Sequence, residues 1–152
     1  MLGLFSAWFG PIQVLLGLQA SQVAPGHKEA TLSLVTGLGA LVSTLGNPVF
    51  GALSDRTTSR FGRRLPWIAG GLALGAVGLV VLASARGVAG MVVGWCLVQA
   101  FLNATFAALN ASIADQVPAE RRGLVSGLIG VAQTAGLVAG AGLAAAVGST
   151  RT

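Results

Sequence analysis

The chain has 152 residues, of which 54% are hydrophobic and 9% charged, and its mean hydropathy is +0.82. A soluble domain carries about 25% charged residues, so this chain lacks the polar surface to cover itself in water, and lipid is its expected solvent. The net charge of +5 does not point to nucleic acid, because the basic residues sit in short loops between apolar runs and form no stripe along a helix.

A spanning helix needs about 20 apolar residues to cross roughly 30 Å of hydrocarbon. Five stretches qualify, which predicts an all-α, polytopic membrane protein with a single transmembrane domain over residues 1–152. The first runs from about Leu2 to Val23, is interrupted at Gly10-Pro11, and carries Gln13, Gln19 and Gln22. A signal peptide is the competing reading, but the apolar stretch is too long, lacks a basic leader, and is followed by further spans. The loop Pro25 to Glu29 holds His27, which reads as a solvated loop residue.

The second span covers about Ala30 to Leu53 and contains Asn47-Pro48. The loop after it, Ser54 to Leu65, holds Asp55 and four of the chain's nine Lys/Arg residues: Arg56, Arg60, Arg63 and Arg64. The third span runs from about Pro66 to Ala85 and is rich in glycine, with Gly71 and Gly75 four residues apart. Small residues at that spacing let helix backbones approach closely in lipid, where dispersion is the driving force. The fourth span covers about Ala89 to Ala114 and the fifth about Gly123 to Val147, with Gly136 and Gly140 at the same spacing. No Lys, Arg, Asp or Glu lies within the spans away from their ends. A charge at mid-helix costs about 2.5–3.5 kcal/mol on the insertion scale. Trp8 and Trp67 lie near span ends, where interface anchors belong.

Alternate loops lie on opposite sides of the membrane. One side collects Arg56, Arg60, Arg63, Arg64, Arg121 and Arg122, and the other Lys28, Arg86 and Arg151. The positive-inside rule makes the richer side cytoplasmic, and the N-terminus is then cytoplasmic too. The basic loop has two readings at this level. It sets topology and holds lipid phosphates, or Asp55 and Arg56 form charge-assisted contacts at the membrane boundary.

The fourth span bears a polar stripe. Gln99, Asn103 and Asn110 fall within about 40° of one another on a helical wheel, and Trp95 is one turn before Gln99 on the same side. Amides bond neutral hydroxyls well, and an indole stacks on a sugar face, so the stripe fits a solute cavity. It also fits interhelical glue, at about 1 kcal/mol per hydrogen bond. Gln13, Gln133 and Thr134 admit the same two readings. The lone Cys96 sits in an apolar run, which leaves no disulfide framework and no metal cluster. No nucleophile–base pair and no phosphate-binding glycine loop is present, so neither an enzyme nor a cofactor is expected.

Gly51-x-x-x-Asp55-Arg56 followed by Gly62-Arg63-Arg64, between the second and third spans, resembles the signature loop of major facilitator superfamily transporters. Its five-residue spacer, Thr57 to Phe61, with Asn47-Pro48 upstream and Pro66-Trp67 downstream, is similar to the glycoside–pentoside–hexuronide sugar symporters. Asp115-Gln-Val-Pro118-Ala-Glu-Arg121-Arg122-Gly123 resembles the superfamily's loop between helices four and five. The resemblance covers the whole chain but only five of the family's twelve helices, an incomplete N-terminal bundle. It implies alternating access about a central site lined by helices one and four. It also implies a cytoplasmic latch that includes Gly51, Asp55, Arg56, Gly62, Arg63 and Arg64. Arg121 or Arg122 is a further member, and Asp115 is a candidate partner for Arg56. Gln13, Trp95, Gln99, Asn103 and Asn110 are then the candidate cavity residues. One departure stands out. In the melibiose-permease branch helix two carries acids that bind the coupling cation, and the matching positions here are Asn47 and, one turn earlier, Ser43.

The expected function is transport of a small, neutral, sugar-like solute across the plasma membrane. Membrane lipids and the remaining helices, or a partner chain, are the expected partners. A non-transporting fragment or helical scaffold that needs a partner chain is the alternative.

Overall fold

The computed structural model describes residues 16–60 and 62–149. Most of the expected first span, with Trp8 and Gln13, lies outside them. All regular structure among the described residues is α-helical: α1 (Leu16–Val23), α2 (Lys28–Arg56), α3 (Leu65–Ser84), α4 (Val88–Gln116) and α5 (Ala119–Ser149). Among the described residues, four segments are long and apolar enough to cross a membrane: Lys28–Arg56, Leu65–Ser84, Val88–Ile113 and Ala119–Gly142. The fold is that of an all-α, polytopic membrane protein.

The helices outrun the apolar stretches because charged ends continue the hydrogen-bonded turns outside the hydrocarbon. Glu29 lies in the first turn of α2 and Glu120 in that of α5, where a carboxylate meets the positive end of the helix dipole. Arg56 closes α2 at the negative end. Pro66 falls in the first turn of α3, where its missing N–H costs nothing. Pro48 is inside α2 and withdraws one helical hydrogen bond there.

The chain forms two compact units, one of residues 1–28 and 118–152 and one of residues 29–117. In the second unit α3 and α4 interlock through glycines. A methyl group on Gly71 would overlap the Thr105 hydroxyl and stand 2.7 Å from the Phe101 carbonyl oxygen. One on Gly75 would stand 2.8 Å from Leu102, and one on Gly78 2.9 Å from the Val98 nitrogen. The complementary notch is Gly94, whose missing methyl would stand 2.6 Å from the Leu82 backbone. The spacing Gly71, Gly75, Gly78, Leu82 is one face of a helix, and Val98, Leu102 and Thr105 of α4 are buried against it. Helix α4 is the core of this unit, with Met91, Trp95, Ala104 and Ala108 also buried.

In the first unit α1 buries Leu16 and Ala20. Along α5, Leu124, Val131 and Val138 are each 67–68% exposed. A shallow apolar trough of about 840 Å³ follows Gly127, Gly130, Thr134 and Val138 on the same helix.

Candidate functional site

The membrane-boundary end of the second unit gathers the charges. The turn leading into α3 needs Gly62, whose φ of +88° is open to glycine and strained for other residues. Its N–H donates to the Ser59 carbonyl at 2.9 Å. That turn delivers Arg63 and Arg64 to two acids on different helices. Arg64 Nη2 lies 2.6 Å from Asp55 of α2 and 3.1 Å from Asp115 of α4. Arg64 Nε also donates to Asp115 Oδ2 at 3.1 Å, and Nη1 donates to the Ser54 hydroxyl. Arg63 Nη2 meets the other Asp115 oxygen at 2.9 Å.

Arg64 is therefore the hub. Its side chain is 11% exposed, against 58% for Asp55 and 32% for Asp115. Desolvation disfavours its charge, but the carboxylates of Asp115 and Asp55 outweigh that and raise its pKa. Asp115 is held below the usual carboxylate range, first by the hydrogen bond from Arg63 and then by that from Arg64. A cavity of about 370 Å³ opens beside the pair, lined by Arg63, Arg64, Ile68, Ser112 and Asp115.

The pairing differs from the expected one. Asp115 faces Arg63 and Arg64 rather than Arg56, which ends α2 exposed and forms no ion pair with a described acid. The turn at Gly62 is the reason, because it folds the third and fourth arginines of the loop back over the helix ends. Gly51 meets nothing within 4 Å, so no described helix approaches closely there. Arg121 and Arg122 are exposed at the start of α5, in the other unit. Ser54 is a site residue that sequence reading missed. It is fully buried and bonded to Arg64, and its only sequence signal is a small hydroxyl beside Asp55 at the end of an apolar run.

Deeper in the unit, the polar stripe of α4 divides. Asn103 is 3% exposed, and its amide is used on both sides. Its nitrogen donates to the Gln99 carbonyl at 2.6 Å, and its oxygen accepts from Asn47 of α2 at 3.2 Å. Trp95 is 2% exposed and packs against Gly39 of α2, where a methyl group would overlap the indole. Its Nε1–H is buried without a hydrogen-bond partner among the described residues. Gln99 is half-buried, with its Cγ also over Gly39. Asn110 is exposed and donates to the Phe106 carbonyl at 3.0 Å. The stripe is one face, as its spacing predicts, but two of its four members fasten α4 to α2.

These features define a class: membrane-spanning helices that carry a surface network of acids and arginines where two spans meet a short basic loop. Comparison with known proteins gives the family. Residues 2–151 match the Major Facilitator Superfamily, and the chain belongs to it. A 47-residue stretch is 45% identical to a protein of Synechocystis sp. (strain ATCC 27184 / PCC 6803 / Kazusa) named only as an uncharacterized symporter. That stretch is 31% of this chain and 9% of the relative, so the chain spans well under two thirds of the relative's length. No solved structure gives a significant match.

Proposed function

We propose that this chain supplies part of an alternating-access transporter for a small, neutral, sugar-like solute in the plasma membrane, with its N-terminus cytoplasmic. The observation that carries the reading is Arg64, bonded at once to the end of α2 through Ser54 and Asp55 and to the end of α4 through Asp115. One side chain that ties two spans at the membrane boundary is a bistable element of the kind a transporter needs. It holds one arrangement while the pairs are intact and releases it when they separate. The energy asked of such a latch is modest, because moving an equilibrium from 1:99 to 99:1 takes about 5.5 kcal/mol in total. Gly51, Arg56 and Gly62 complete the latch in this reading.

The cavity is assigned to Gln99 and Asn110, which offer amides to neutral hydroxyls; Gln13 lies outside the described residues. Asn103 and Trp95 set the position of α4 beside it. The reading takes the remaining helices from a longer chain or a partner. Symport is compatible with the relative's name, but Asn47 is a neutral amide already given to Asn103. The coupling ion in this reading binds elsewhere than α2.

The test is uptake of a panel of radiolabelled neutral sugars by cells expressing the transporter that contains this chain. Asp55→Asn is expected to insert at normal levels and lose at least tenfold in uptake rate. Normal uptake by Asp55→Asn overturns the latch. Sugar-independent behaviour of the unaltered protein, with uptake of a charged solute instead, overturns the solute class.

A further inference from the structure

The packing of α2 on α4 leaves one buried donor over. The indole of Trp95 is 2% exposed, and its Nε1–H is closed to water and meets no acceptor among the described residues. Gly39 of α2 is what covers it. A methyl group on Gly39 would overlap Nε1, and would stand 2.5 Å from Cδ1 of the same ring and 3.1 Å from Cγ of Gln99, one turn further along α4. Gly39 thus sits over two consecutive turns of the polar stripe. In the turn after, the Asn103 oxygen is covered by Asn47 of the same helix. Helix α2 runs unbroken from Lys28 to Arg56, so the backbone carbonyls beside Gly39 are already bonded within it.

A buried donor without a partner is costly, because it has given up water and received nothing. The polar ties of α2 in this unit are Asn47 to Asn103, and Ser54 and Asp55 to Arg64. When they open and α2 draws away from α4, the groups uncovered are the Trp95 N–H, the Gln99 side chain and the Asn103 oxygen. They stand on three successive turns, about 6 Å apart along the helix. A donor, an amide and an acceptor in a row suit neutral hydroxyls, each of which both donates and accepts.

We propose that Gly39 is a positioning residue for the solute site: it lets α2 cover the Trp95 N–H in this arrangement, and the N–H becomes a donor to a solute hydroxyl when α2 draws away. This role rests on the alternating-access reading. A solute that bonds the N–H has the greater affinity for the uncovered arrangement and so favours it. Release of the Arg64 tie at the membrane boundary and exposure of the donor are then two ends of one movement of α2.

The first measurement is hydrogen–deuterium exchange of the Trp95 indole N–H in the purified transporter that contains this chain, followed by NMR on labelled tryptophans. The Trp95 signal is the one that Trp95→Phe removes. Exchange is expected to be about tenfold faster in Arg64→Gln than in the unaltered protein, as for a group uncovered by local opening. Unchanged exchange with faster protease cleavage of the 57–64 loop overturns the role of Gly39 and leaves the latch standing. Unchanged exchange with unchanged cleavage brings down both. Gly39→Ala is expected to displace the indole and speed exchange without altering cleavage of that loop. Gly37→Ala, whose methyl group meets nothing within 4 Å, is the control, and an equal change in the two variants overturns the role of Gly39. The second measurement is uptake of radiolabelled D-glucose, D-galactose and D-xylose. Trp95→Phe loses one hydrogen bond between neutral groups, so KM for each sugar that the unaltered protein takes up is expected to rise about fivefold, with the maximal rate little changed. An unchanged KM, whether or not the maximal rate falls, marks the indole as packing alone and overturns the donor.

Discussion

Helices α3 and α4 are joined in one way, and α2 is joined to them in another. Between α3 and α4 the glycines Gly71, Gly75, Gly78 and Gly94 let the backbone of one helix come close to the other along the crossing. Helix α2 is held by separate side-chain ties: Trp95 on Gly39, Asn103 on Asn47, Trp67 on Phe50, and Arg64 on Ser54 and Asp55. Only 11% of the apolar window of α2 is buried, against 44% in α4. The first joint has no second arrangement at similar energy, because interlocked notches either fit or clash. The second joint is polar, and polar partners can be exchanged. The difference makes α3–α4 the rigid member of this unit and α2 the one that ties hold in register.

The largest effect should come from filling a notch. Gly94→Val sets a branched side chain against the Leu82 backbone, which has no flexible end to move aside. Overpacking of this kind costs about 1–3 kcal/mol and sometimes more. The expected outcome is a clear fall in the thermal midpoint in detergent, with aggregation on heating. Gly70→Ala, one residue before the notch glycine Gly71 but facing open space, should leave the midpoint within a degree or two. A comparable loss in both would remove the distinction between notch and surface glycines.

Next comes the charge hub. Arg64→Gln leaves Asp55 and Asp115 without their shared partner, while Arg63 still reaches Asp115. The expected result is faster protease cleavage in the 57–64 loop and loss of uptake, with the thermal midpoint less affected than by Gly94→Val. If proteolysis and uptake are unchanged, the tie between α2 and α4 at this end does not govern their arrangement. Smaller again is Asn47→Leu, which removes one hydrogen bond between α2 and α4. Such bonds in membranes are worth about 1 kcal/mol, so a shift of a few degrees is expected. Asn103→Leu should cost about the same, and the double variant no more than either alone, if the bond between them is what each substitution removes.

The spans were legible in the sequence because a hydrocarbon solvent imposes a composition that no loop shares. The positions of α2 to α5 follow directly from the apolar runs and the charges that end them. The pairing at the site was less legible. Asp55 and Asp115 stood out as acids at span ends, but which arginine each would meet depended on one backbone torsion at Gly62. The stripe on α4 was visible from spacing alone. Its division into Asn103, bonded to Asn47, and Asn110, exposed, was not, because helical phase gives the face of a residue and not the neighbour opposite it. Ser54 escaped notice for a similar reason. A serine at a span end is common, and only the approach of Arg64 distinguishes this one.

The smallest effect expected is that of pH on the charge ties, and it acts on one side of the comparison only. The folded state holds the Asp115 carboxylate below its usual range, through the hydrogen bonds from Arg63 and Arg64. A group whose pKa is lower folded than unfolded adds stability above its unfolded value and loses it as pH falls through the folded one. Acidification below the ordinary carboxylate range should therefore loosen the tie at the ends of α2 and α4. It should leave the glycine joint of α3 and α4 untouched, because that joint contains no titratable group. Protease accessibility of the 57–64 loop is expected to rise at acid pH in the unaltered chain. In Asp115→Asn it should already be raised at neutral pH, with a weaker acid response. Because Asp115 is well solvated, the change should be small and should shrink further in high salt. An acid response of equal size in Asp115→Asn would place the sensitive group elsewhere and leave the Arg63–Asp115–Arg64 contact as a fixed structural pair.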